Sequence, residues 1–194
     1  MEREQAQQEI SMIREMIEKT KAETAESGWF FILIGIFIMV ATSGIALLES
    51  LNLHQWVWVA LVVMLVGGAV IGHFTIEKKT RVRTYAKTVW VSTWTACSMA
   101  ILLMTFLFPF LDLYPMSTVP VLALLVIGVA VFVTGVIFET RAVIYSGFVW
   151  WAGAIGMALV FDITRLYIML ATLFLGWVLP GIILNRQYQR RSHA

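Results

Sequence analysis

The sequence predicts an all-α polytopic membrane protein: six transmembrane helices arranged as three hairpins, preceded by a cytoplasmic amphipathic helix. Three observations predict it. Of 194 residues, 60% are hydrophobic and 13% are charged, whereas a soluble domain is about a quarter charged. Apolar runs long enough to cross a bilayer recur along the chain. The basic residues also gather on one side of those runs, most densely in EKKTRVRTYAK from Glu77 to Lys87.

In order, residues 1–27 are polar, helix-prone and free of Pro and Gly. Ala6, Ile10, Ile13 and Ile17 fall at alternating spacings of four and three, a narrow a/d seam that continues only as Thr20 and Thr24. Gly28 separates this segment from the bundle, expected over 28–184 with spans at Trp29–Leu48, Trp56–Ile76, Thr88–Phe108, Thr118–Phe138, Ala142–Val160 and Leu166–Leu184. Each span has about twenty residues, enough at about 1.5 Å per residue to cross a hydrocarbon core of roughly 30 Å. Pro109 to Ser117, with two prolines and Asp112, is expected to be a loop that ends the third helix. Glu139 to Arg141 reads as a tight turn, and residues 185–194 as a basic tail. The first apolar run is too long for the core of a cleavable signal peptide. Cys97 is the single cysteine, so no intrachain disulfide is expected.

The charges orient the chain. Of fourteen Lys and Arg residues, Arg165 alone lies on one side. The rest lie in the N-terminal segment, the Glu77 loop, the Glu139 turn and the tail. Basic residues are retained in the cytoplasm, so both termini are expected there, in a bacterial inner membrane. The N-terminal segment holds seven acids against four bases, a net of three negative charges. An anionic leaflet repels such a helix. It is expected instead to pair with a second copy as a homo-oligomer, or to fold onto the basic loop at Lys78 to Arg83.

The second, fourth and sixth spans end alike, in GHFTIEKK from Gly72, GVIFETR from Gly135 and GIILNRQ from Gly181. This suggests three like-oriented hairpins. Cations also suit helix C-termini and the cytoplasmic face without common ancestry. The layout of glycine-rich, tryptophan-bearing hairpins is similar to that of the small six-span bacterial family associated with acid resistance. The similarity is one of layout and composition, without a diagnostic motif, and implies no residue role.

Chemistry-bearing residues are few. No acid or base falls at mid-span, which argues against a transporter built on a buried carboxylate. HExxH, Walker A and GxSxG sequences are missing. His73 and Glu77, four apart on one helix face, form a candidate metal or proton site with Glu139. The alternative is a rim histidine near headgroups, since a metal needs more ligands than these. Glu49, His54, Asp112 and Asp162 form a second candidate cation site, or else are solvated loop residues with Asp162 capping the sixth helix.

Trp29, Trp56, Trp58 and Trp90 lie near span ends, where interface anchors belong. Trp150, Trp151 and Trp177 lie deep, and Pro180 follows Trp177 by about one turn. Pro180 is expected to kink the sixth helix. With these tryptophans it either opens a site for a small apolar ligand or packs them against Gly153 and Gly156. Gly68 and Gly72, and Ser92, Ala96 and Ala100, permit close helix approach. Ser92, Thr93, Thr95 and Ser98 can bond carbonyls of their own helix.

The function expected is that of a non-enzymatic membrane protein that senses, stabilises or scaffolds through partners or lipids. The second expectation is a transporter or channel for a small neutral or apolar solute. Neither a cofactor nor a nucleic-acid partner is expected, and the bilayer is the surrounding medium.

Overall fold

The computed structural model describes residues 28–77 and 85–192, with the backbone alone for a few of them, including 71–77 and 187–192. The expected amphipathic helix over 1–27 and most of the basic loop lie outside the described residues.

Six helices make up the described chain. They are α1 (Gly28–Ser50), α2 (His54–Glu77), α3, α4 (Val119–Ile137), α5 (Arg141–Leu159) and α6. Two of them are composite. α3 runs as Tyr85–Leu102, a π turn at Leu103–Leu107 and a last turn at Phe108–Phe110. α6 runs as Thr164–Leu173, a π turn at Phe174–Val178 and Leu179–Ser192. Five stretches are long and apolar enough to span a membrane: Phe31–Ser50, Thr88–Phe110, Met116–Ile137, Arg141–Leu159 and Thr164–Arg186. α2 contributes a further apolar stretch over Gln55–Gly68. The chain is an all-α polytopic membrane protein. Its outward faces are apolar, as lipid-facing surface must be, with Val40 67%, Val63 59% and Ile155 62% exposed.

Two boundaries differ from expectation. α3 continues through Pro109 and stops after Phe110. Proline is tolerated there because the preceding π turn has already displaced the hydrogen bonds its ring would break. α6 continues to Ser192, through the polar tail. After Gly181 that tail has neither Pro nor Gly, and its Gln and Arg residues favour helix.

α1, α3 and α4 end in the same way. Leu53 N–H reaches Leu48 O at 2.9 Å, Leu113 N–H reaches Phe108 O at 3.1 Å and Thr140 N–H reaches Gly135 O at 2.9 Å. In each case the residue before that donor is left-handed: Asn52 at φ 57°, Asp112 at 55° and Glu139 at 51°. This is the Schellman arrangement, which satisfies carbonyls that a helix end would leave bare.

The helices adjoin in chain order. α1 packs on α2 and α6, α6 on α5, α5 on α4, and α4 on α3. Trp58 of α2 and Phe106 of α3, with ring centroids 6.1 Å apart, join the two ends of this circuit. Missing side chains set the close approaches. A Cβ on Gly135 would stand 2.5 Å from Ile144 N, and one on Gly147 would stand 2.8 Å from Phe132 Cβ. A Cβ on Gly153 would run into Thr172 Oγ1. Helices in lipid gain little from apolar burial against one another, so such backbone contact supplies the packing.

Candidate functional site

The deepest cluster centres on Trp177. It is 2% exposed, and Trp150 is fully buried. The Trp177 ring lies 5.2 Å from Phe31 of α1, 5.7 Å from Trp94 of α3 and 5.9 Å from Trp150 of α5. Four helices thus meet at one aromatic hub. Gly35 makes room for it, since a Cβ there would stand 2.8 Å from Trp177 Cβ. Gly176 makes room for Trp150 in the same way, at 2.5 Å from its Nε1.

Proline chemistry places the hub ring. Pro180 has no N–H, so the carbonyl four residues earlier, Gly176 O, lacks its helical donor. The π turn before it carries Leu179 N–H back to Phe174 O, and Trp177 sits within that turn. Ser146 of α5 donates its hydroxyl to Gly176 O at 2.6 Å, and Trp150 Nε1 donates to the same oxygen at 3.4 Å. α3 repeats the device. Its π turn carries Phe108 N–H to Leu103 O just before Pro109. Pro109 withholds a donor from Thr105 O four residues back and, in the π register, from Met104 O five residues back. Tyr114 OH donates to Met104 O at 2.7 Å, so the repaired carbonyl lies one position earlier relative to the proline than in α6.

Trp94 Nε1 donates to Thr134 Oγ1 at 3.0 Å, and Thr134 Oγ1 donates to Ala130 O at 2.7 Å. Among the described residues, Trp90 Nε1 and Trp177 Nε1 are buried donors without a hydrogen-bond partner. Trp90 was expected as an interface anchor, but it turns edge-on to Phe138, just past the end of α4, at 6.4 Å between centroids. Trp29, Trp56 and Trp58 are exposed, as anchors would be.

Of the sequence-derived set, the structure brings Trp150 and Trp177 together, buries Pro180, and separates Trp151. Trp151 lies on another face of α5. It stacks on Phe132 at 5.7 Å and donates Nε1 to Leu125 O at 3.2 Å. The glycines these rings cover are not Gly153 and Gly156, which meet Thr172 and Ile168. They are Gly128 under Trp151 and Gly176 under Trp150, both on neighbouring helices. Thr93 and Thr95 bond carbonyls of their own helix, at 2.9 Å to Val89 O and 2.8 Å to Val91 O.

His73 and Glu77 end α2, and their side chains lie outside the described residues. Glu139 is exposed in the α4–α5 turn. Among the described residues no three His, Cys, Asp or Glu side chains come together as a metal site. Asp162 accepts from Thr164 N–H at 3.0 Å through Oδ1. Hydrogen bonding from Thr164, first its side chain and then its backbone, holds the Asp162 carboxyl below the usual range. Arg165 donates its Nε to Met157 O at 3.1 Å, closing the end of α5, with its guanidinium over the Phe161 ring. The sequence signal for the hub was a deep tryptophan near a proline. Its other members, Phe31 and Trp94, carry no local signal.

Comparison with protein-family models, curated proteins and solved structures finds no match for this chain.

Proposed function

We propose that this chain is a non-enzymatic multi-pass membrane protein that senses, stabilises or scaffolds through partners or lipids. The filled hub carries this reading. A solute path needs space between helices, whereas here Trp177 is enclosed by Phe31, Trp94 and Trp150. α1 and α6 also meet through bare backbone at Gly28 and Gly181. Such an interior suits a body that holds shape and presents surfaces. The surfaces proposed are its lipid face and the segment 1–27, through which a second copy pairs. The charge asymmetry supports an inner-membrane protein of bacterial type with both termini cytoplasmic.

A second reading is a transporter or channel for a small neutral or apolar solute. The paired π turns before Pro109 and Pro180 favour it. They interrupt the third and sixth helices, and interrupted helices mark many transport sites. The indole N–H groups of Trp90 and Trp177 would be donors to such a solute.

Liposome shrinkage separates the two readings. Proteoliposomes and empty liposomes are challenged with glycerol, urea or an aromatic solute, and light scattering is followed. Equal rates support the first reading. Faster solute entry with protein, lost in Trp177→Ala, overturns it in favour of the second.

A further inference from the structure

The turn between α5 and α6 holds two opposite charges that do not meet. The apolar stretches Arg141–Leu159 and Thr164–Arg186 end and begin there, so the turn lies at the membrane edge, at the depth of lipid headgroups. Backbone bonds fix it, from Arg165 N–H to Asp162 O at 2.9 Å and from Leu166 N–H to Ile163 O at 3.0 Å. The apolar side chains around it, Leu159, Phe161 and Ile163, are exposed, Phe161 by 85%, as residues dipped in lipid are.

Asp162 and Arg165 are each committed elsewhere. Asp162 Oδ1 accepts from Thr164 N–H at 3.0 Å. Arg165 Nε donates to Met157 O at 3.1 Å, and its guanidinium carbon lies 5.6 Å from the centre of the Phe161 ring. Among the described residues neither makes an ion pair, with the other or with a third side chain. The guanidinium is therefore held in one orientation, and the donors of its two Nη groups remain to be used. The Asp162 carboxylate has further acceptor capacity of its own.

A guanidinium at the edge of hydrocarbon calls for an anion, and the headgroup layer supplies phosphate. Arginine binds phosphate with two parallel N–H donors, which a fixed guanidinium presents without further ordering. A headgroup with phosphate alone would set that anion beside the Asp162 carboxylate. A headgroup that also carries an ammonium removes the conflict, because the ammonium donates to Asp162. A quaternary choline has no N–H to give.

We propose that this turn is a headgroup site for a phospholipid of the phosphoethanolamine class, in which Arg165 takes the phosphate and Asp162 the ammonium. The site rests on the lipid part of the proposed function and gives it a lipid class and a place. It does not depend on which face of the membrane the turn occupies or on whether solute crosses, so the liposome assay and the test below fail independently.

The test is native mass spectrometry of the full chain released from detergent micelles. Palmitoyl-oleoyl phosphatidylethanolamine, phosphatidylcholine and phosphatidylglycerol are added at equal concentrations. The expected result is a lipid adduct in which the ethanolamine lipid outcompetes the other two. Arg165→Gln weakens it by about tenfold, the worth of one charge-assisted hydrogen bond. Asp162→Asn, which keeps an acceptor for Thr164 N–H, brings the ethanolamine lipid level with the choline lipid. Arg186→Gln, at the other end of α6, leaves the adduct unchanged. Should Arg165→Gln fail to fold for want of the Met157 bond, Asp162→Asn decides, since that side chain is exposed. Equal retention of the three lipids by the wild-type chain overturns the proposal, as does tightest retention of phosphatidylglycerol. An adduct undiminished in Arg165→Gln, one weakened as much in Arg186→Gln, or an ethanolamine preference unchanged in Asp162→Asn overturns it too.

Discussion

Ser146 donates its hydroxyl to Gly176 O at 2.6 Å, satisfying from α5 the carbonyl that Pro180 leaves bare within α6. One helix thus repairs the hydrogen-bond deficit of its neighbour. The repair fixes the turn that carries Trp177 into the hub, and it ties the fifth and sixth helices together at a buried point.

Ser146→Ala is expected to destabilise the bundle by about 1–3 kcal/mol, the cost of an underpaired buried carbonyl. Equilibrium unfolding in mixed micelles measures it. In a Pro180→Ala background residue 180 regains an N–H, so the same substitution should cost less. Equal costs in both backgrounds would disprove the link between Ser146 and the proline.

Alanine at glycines should divide by position. Gly44 and Gly68 face open space within the chain, so Gly44→Ala and Gly68→Ala should be neutral or should stabilise by up to about 1 kcal/mol through helix propensity. Gly147→Ala and Gly153→Ala drive a methyl group into Phe132 and Thr172, and should each cost about 1–3 kcal/mol as overpacking. Thermal unfolding of the four variants checks the ranking. A destabilised Gly68→Ala would show that α2 has a partner outside the described chain.

Asp162 should titrate below an ordinary aspartate, and Thr164→Val should raise its pKa toward the usual value, because the Thr164 hydroxyl is the first cause of the depression. The sign follows from the lowered folded-state pKa. Any stability the pair contributes is present above the unfolded-state pKa and is lost as pH falls through the folded one. A carbon-detected NMR titration of the carboxyl in both proteins decides it. Identical midpoints would remove Thr164 as the cause.

Topology is tested by single cysteines in a Cys97→Ala background. Cysteines at positions 79 and 141 should be protected from an impermeant maleimide in intact cells, and one at 112 should react. The reverse pattern would invert the proposed orientation.

The existence and rough extent of the helices were legible in the sequence because lipid imposes a local rule. A segment of about twenty apolar residues closes its own backbone hydrogen bonds, whatever lies beside it. The disturbance at Pro180 was legible for the same reason, since proline withholds its donor in any context. The tertiary structure alone decided which carbonyls were repaired and by which side chain, and that the disturbance takes the form of a π turn, one in α3 and another in α6. It also decided that Trp150 turns to the hub while Trp151, the next residue, stacks outside on Phe132. The rings cover Gly176 and Gly128, where the sequence pointed to Gly153 and Gly156. The physical reason is that helix formation in lipid depends on each segment alone. Which glycine receives which ring depends on the rotation and depth of two helices far apart in sequence, and no local pattern encodes that pairing.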